Sequence, residues 1–348
     1  MGVRFLLCVL VVFIHNKTTG VNFQDQVVAL DIPIALKIAH LFIPDYLANI
    51  AVPLFFFMSS YLLFKKDDPY PVLLKKKIRS LFIPYVLWHT LFILFRFVAQ
   101  QIPVLRQYFA SVIIRELDLK GFVSLYIGGH FYGQSPSFDP FVVQLWFVRD
   151  LFLCVVFSPV IKYLIKQLPL FSLVAALLFF QSDLLYNRIR TAVFYFSLGC
   201  LAVRFNLSYK NIARIKFCDI GLLYALIVAL QFYFHFSAQN AIEPLGLLNI
   251  LVGSVLLLKI SGRVCENERI FAALRYLAGF SFWVYAMHWE CLNVIKKLWV
   301  KFLPLNGASL FVEYFGGTAL CVAICLGAAL LVRRIAPKVY ALFAGGRA

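Results

Sequence analysis

Charge is what this chain has least of. Only 14% of its 348 residues are charged, against about 25% in an ordinary soluble domain. Acidic residues are scarcest, 16 against 33 Lys and Arg, for a formal net charge of +17. A water-soluble globule is excluded, as is a disordered, collagen-like or disulfide-stapled chain. No two cysteines stand at CxxC spacing, so neither a zinc nor an iron–sulfur centre is expected, and no metal. Seven of the eight lie in apolar runs, where a thiol behaves as a small hydrophobe; Cys265 alone sits in a charged loop. Internal repeats, low-complexity tracts and a soluble domain are also missing. What is present is apolar: 62% hydrophobic residues, 37 of them Phe, and a mean hydropathy of +0.86.

A membrane-spanning helix needs roughly 20 mostly apolar residues. Ten segments qualify: 3–18, 46–64, 80–99, 143–160, 168–186, 191–205, 217–236, 243–260, 276–294 and 309–332. The expected fold is all-α, one polytopic transmembrane domain over 1–348. Segment 26–44 is apolar enough to lie on the membrane or to form a re-entrant helix. Ten spans put both termini on one side, and with that side cytoplasmic 20 of the 33 basic residues fall in cytoplasmic loops and tail. The positive-inside bias therefore favours N-in, C-in. In water such an excess would suggest nucleic acid; in a membrane it marks topology and a site for an anionic ligand. Residues 1–20 also fit a signal peptide, Arg4 preceding the apolar run Phe5–Ile14, but no A-x-A site follows and nine spans would remain. The abrupt start leaves room for a natural N-terminus a few residues earlier.

Ionisable groups inside apolar spans are costly and are functional candidates. Arg4 and His15 are 11 residues apart in the first span, which puts them on one helix face about 16 Å apart. Arg4 reads as a snorkelling anchor or a site residue. His15 reads as a satisfied interior histidine or, with an ordinary pKa of about 6.5, as a base for a hydroxyl proton. The run Lys75-Lys76-Lys77-Ile78-Arg79 is a cytoplasmic anchor touching anionic lipid, or a phosphate clamp built on Lys76 and Arg79 one turn apart. Trp146, Arg149 and Asp150 stand at an outer mouth, as a polar-substrate site or an ion-paired cap. The aromatic, turn-rich segment 128–139 suits a sugar, or is simply a structured loop. His288 lies at a depth comparable with His15. His40, His89, His130 and His235 lack such company and read as interfacial or structural.

These pieces resemble a known family. Arg4-x10-His15, Val52-Pro53-Leu54-Phe55-Phe56-Phe57-Met58-Ser59, the basic run before Ile83-Pro84-Tyr85, Leu145-Trp146-Phe147-Val148-Arg149-Asp150 and Ser281-Phe282-Trp283-Val284-Tyr285-Ala286-Met287-His288 are similar, in that order, to blocks of the acyltransferase 3 family of bacterial membrane O-acyltransferases. The resemblance implies ten transmembrane helices in the inner membrane. It implies transfer of an acyl group, most often acetyl, from cytoplasmic acyl-CoA to a hydroxyl of a cell-surface or lipid-linked carbohydrate. It further implies His15 as the essential histidine, Arg4 as its helix partner and His288 as a recurrent late-helix histidine. Lys76, Lys77 and Arg79 would handle acyl-CoA, with Lys76 departing from the family's first Arg and losing its bidentate fork. Ser60 stands where the family often has Gly, and no fused hydrolase-like module follows. Membrane lipid is the remaining partner, with a homo-oligomer or a polysaccharide-assembly complex left open and nucleic acid not expected. A transporter or flippase for a glycan or lipid-linked sugar is the alternative, and a non-catalytic partner of a polysaccharide synthase a third. Inverted repeats with broken helices would favour transport, and the sequence has none.

Overall fold

The computed structural model describes residues 3–17, 20–23, 26–29, 32–106, 112–128, 130–132, 135–182, 187–237 and 243–347. Over its described residues, every segment expected to span is mainly helical. Helix α1 is Val3–Asn16; α2 runs Ile34–Lys66 and α3 Tyr70–Gln101. The fourth segment is divided at Phe157, before Pro159, into α4 (Trp146–Val156) and α5 (Ser158–Gln167). There follow α6 (Pro169–Gln181), α7 (Asn187–Arg204), α8 (Phe217–Phe236), α9 (Glu243–Val264), α10 (Glu268–Ala278), α11 (Ser281–Phe302), α12 (Gly307–Ile335) and α13 (Pro337–Phe343). Among the described residues, five helices are long and apolar enough to cross a membrane, or six if the bent pair α10 and α11 counts as one. This is a multi-pass helical membrane protein. Two short antiparallel hairpins lie in its connections, β1 (Gly20–Phe23) with β2 (Gln26–Ala29), and β3 (His130–Tyr132) with β4 (Ser135–Ser137).

Segment 26–44 is not a separate surface or re-entrant helix. Its start is β2, and from Ile34 it is continuous with α2, carried past Pro44 by a π-helical stretch, Leu41–Leu47. A proline removes one backbone donor, and the wider π turn accommodates the ring without ending the helix. Similar π turns occur at Ile78–Phe82 in α3 and Glu313–Gly317 in α12. Between α10 and α11 the chain bends by 63°, at Gly279-Phe280.

One apolar core joins residues from Phe5 to Ala344. Its tightest seam is α2 against α7. A side chain at Gly199 would meet the Phe57 carbonyl at 2.5 Å and the Ser60 Cβ at 2.7 Å, so only glycine permits this approach. Ser60, fully buried, donates its hydroxyl to the Phe196 carbonyl. The small polar residue at this position thus serves helix packing.

Candidate functional site

The first helix organises the site. Its last turn carries His15 and Asn16. The Asn16 amide is buried and donates to the Tyr314 carbonyl at 2.9 Å, to Thr318 Oγ1 at 3.0 Å and to the Glu313 carbonyl at 3.3 Å. All three acceptors belong to the π turn of α12 or the residue after it. A π turn leaves carbonyls without their usual partners, and Asn16 takes them up. On the other side, Lys296 of α11 donates its ammonium to the His15 carbonyl at 2.7 Å. His15 is therefore held through its own backbone and through its neighbour.

The His15 ring is half-buried. It lies 5.2 Å, centroid to centroid, from the ring of His288 and 4.9 Å from Trp289, which it meets edge-on. His288 is fully buried. Its Nδ1 is 2.7 Å from the Tyr285 carbonyl; since a carbonyl only accepts, Nδ1 carries the proton and Nε2 the lone pair. Among the described residues that Nε2 is buried without a hydrogen-bond partner. Lys296, bonded to the His15 carbonyl, brings a cation to this turn, which would favour a developing anion there.

Below the histidines a cavity of about 470 Å³ opens. One end is lined by Arg4, Lys66, Lys76, Lys77 and Arg347, with Asp68 the single carboxylate. The other end is Cys8 of α1, Phe55, Phe147 and Tyr285. Burial and the charge of Arg4 pull Arg347 down to about 10, which leaves it cationic at neutral pH. Its guanidinium stacks on Phe282 at 4.6 Å. Lys76 is paired with Asp68 at 2.9 Å, and Lys66 approaches the same oxygen at 3.5 Å. The hydrogen bond from Lys76, aided by Lys66, holds the Asp68 carboxyl below its ordinary range. Arg79 is exposed on the π turn of α3 and does not line the cavity. Cys8 is seven residues before His15, so the cavity stops about 10 Å short of it along α1. Tyr285 fills the gap: its ring is 5.9 Å from His288, and its hydroxyl donates to the Gln144 carbonyl. Gln144 in turn donates to Ala286 at 2.8 Å, tying the start of α4 to α11.

At the start of α4 Arg149 pairs with Asp150 at 2.7 Å and donates to the carbonyls of Ile127 at 2.8 Å and Phe138 at 2.6 Å. Asp150 is buried. These bonds hold the loop before α4 against the bundle. Gly128, with φ +99°, allows the Phe138 carbonyl to approach where a Cβ would collide. Trp146 is half-buried and lies under the Arg188 guanidinium at 5.0 Å, while Arg188 also pairs with Asp139 at 2.5 Å. Of segment 128–139, Gly129, Gly133 and Gln134 lie outside the described residues.

Of the predicted residues, Arg4, Lys76 and Lys77 thus line one cavity, His15 and His288 pair beyond it, and Trp146 lies apart from its lining, under Arg188. Glu313, Lys296, Arg188 and Arg347 join them without having been selected from sequence. Glu313, buried near the start of an apolar segment, carried the same signal that singled out Arg4 and His15. Lys296 and Arg347 looked like ordinary flanking charges.

A helical membrane protein with a paired-histidine centre above a cation-lined cavity is the class these features define. The family model described as an acyltransferase domain matches residues 2–330, and the chain belongs to that family; it is a membrane acyltransferase. It is similar to the succinoglycan biosynthesis protein ExoH of Rhizobium meliloti (strain 1021), 26% identical over 319 residues, which are 88% of this chain and 81% of that protein. No solved structure matches it.

Proposed function

We propose that the protein takes an acyl group, most simply acetyl, from cytoplasmic acyl-CoA and delivers it to a hydroxyl of a cell-surface or lipid-linked carbohydrate. The name of the relative, a succinoglycan biosynthesis protein, supports a glycan acceptor. The observation that carries the reading is the alignment of the His15–His288 pair with the cation-lined cavity. CoA is a polyanion with a long, thin arm. Five basic side chains around one carboxylate suit its phosphates, and the lining by Phe55, Phe147 and Tyr285 suits the pantetheine. Arg79 would meet only the part of CoA projecting from the cavity. The thioester must pass Tyr285 to reach His15.

The chemistry proposed there balances in two ways. His15 takes the proton of the acceptor hydroxyl as its oxygen attacks the thioester carbonyl; the tetrahedral oxyanion, beside Lys296, collapses and expels CoA as thiolate, which recovers the proton. Alternatively the imidazole attacks first, releases CoA and carries the acyl group to the hydroxyl. His288, with Nδ1–H fixed, presents its lone pair and orients His15. The acceptor enters past Trp146 and the Arg149–Asp150 pair. In this reading the chain is one domain of ten spans over 1–348 in a bacterial inner membrane, N-in and C-in. Its fourth to sixth and first spans are shorter or more polar than the rest.

The test is acetyl transfer from labelled acetyl-CoA by membranes carrying the chain. His15→Ala should insert normally and lose at least about 10²-fold in rate. Undiminished transfer by that variant would remove His15 from the reaction. Retention of label on the protein without acceptor would select the acyl-imidazole route.

A further inference from the structure

Three thiols converge on the contact between α11 and α12. Cys321 and Cys325 are one turn apart on α12 and face α11, where Cys291 meets them. The three sulfurs all lie within 4.8 Å of one another. Cys321 and Cys325 are fully buried and Cys291 is half-buried. The thiols bond weakly to one another and to backbone, Cys321 Sγ to the His288 carbonyl at 3.5 Å and Cys291 Sγ to the Cys321 carbonyl at 4.0 Å.

Chain separation hides this group from sequence, since Cys291 and Cys321 are 30 residues apart. The geometry is that of a soft-metal site. Around an ion with bonds of about 2.3 Å, three coplanar sulfurs stand about 4.0 Å apart, within reach of small side-chain rotations here. Among the described residues no fourth His, Cys, Asp or Glu joins the three. Zinc closes a structural site with four ligands, whereas thiolates and thioethers select Cu(I). Each sulfur binds as its thiolate, its proton released to the medium, and the monovalent ion offsets one of those charges.

We propose that Cys291, Cys321 and Cys325 form a site for a monovalent thiophilic metal ion, Cu(I), which clamps α11 to α12 one turn beyond His288. The inference does not rest on the acyl-transfer reading. The full chain, purified in detergent and reduced, is titrated anaerobically with Cu(I) against a chromophoric chelator. Wild-type protein should withhold one Cu(I) per chain, with a sulfur-only coordination shell by X-ray absorption. Cys321→Ser/Cys325→Ser should lose more than about tenfold in affinity. Cys218→Ser/Cys265→Ser, which removes the exposed and half-exposed thiols outside the cluster, should bind as wild type. Should the double cluster variant aggregate, Cys321→Ala serves, because alanine is tolerated in a buried apolar position. Surrender of all copper to the chelator by wild type, equal retention by the cluster variants, or a shell containing nitrogen or oxygen would each overturn the proposal.

Discussion

His15 and His288 differ in what surrounds them, and their substitutions should differ accordingly. His15 is part-open and held through its backbone, so His15→Ala removes a reacting ring with little effect on packing. His288 is wholly buried with one nitrogen committed to Tyr285. His288→Gln is expected to lower kcat for acetyl transfer without a matching change in the KM for acetyl-CoA; a change confined to KM would place His288 in binding. Asp68 makes a sharper case. It competes with an incoming phosphate for Lys76 and Lys66, so Asp68→Asn should lower the KM for acyl-CoA by about two- to fivefold at low salt. The difference should shrink as salt rises. Because its folded-state pKa is depressed, the pair is present above the ordinary carboxylate range and is lost only as pH falls through the lowered value. Between about pH 5 and 8 the variant and wild type should therefore give parallel KM profiles. Crossing profiles would show that Asp68 does not set the cation availability.

At the scale of elements, two seams matter. Asn16 joins the end of α1 to the π turn of α12, and Asn16→Ala would remove its buried donor from the Glu313 and Tyr314 carbonyls, of which Tyr314 keeps the Thr318 hydroxyl. A loss of about 1–3 kcal/mol is expected, read as a lowered Tm in detergent, together with reduced acetyl transfer because His15 is adjacent. An unchanged Tm would mean the π turn finds other partners. Gly199→Val should overpack the α2–α7 seam at a cost of about 1–3 kcal/mol, whereas Gly221→Ala, where a Cβ meets nothing within 4 Å, should be neutral. The existence of these helices was legible in the sequence, since apolar length declares itself. Their breaks were less so. The division of the fourth segment could be read from Ser158-Pro159, but the continuity of α2 through Pro44 could not, because a proline normally argues for a boundary and only the π turn removes the conflict. The bend before α11 depends on how α10 lies against the bundle.

Across the whole molecule the basic residues are unevenly placed. Arg4, Lys66, Lys76, Lys77 and Arg347 meet at one cavity, so the two ends of the chain share a face of the bundle. Reporters fused to each end of the full chain should accordingly give the same compartment signal, cytoplasmic for both under the positive-inside bias. Opposite signals would overturn the ten-span topology, and two periplasmic ones its orientation.

By itself, the sequence determined the solvent, the helical class and the two deep histidines, because the cost of burying charge in lipid is paid residue by residue and leaves a local mark. It also carried the order of motifs by which the family is recognised. Only tertiary structure decided that His15 and His288 face each other, that Arg347 lines the same cavity as Arg4, and that Arg149 pairs with Asp150. The three thiols of α11 and α12 belong to the same category. Such groupings depend on the rotation of one helix against another, which is set by close packing over entire interfaces and has no signature in the spacing of any single segment.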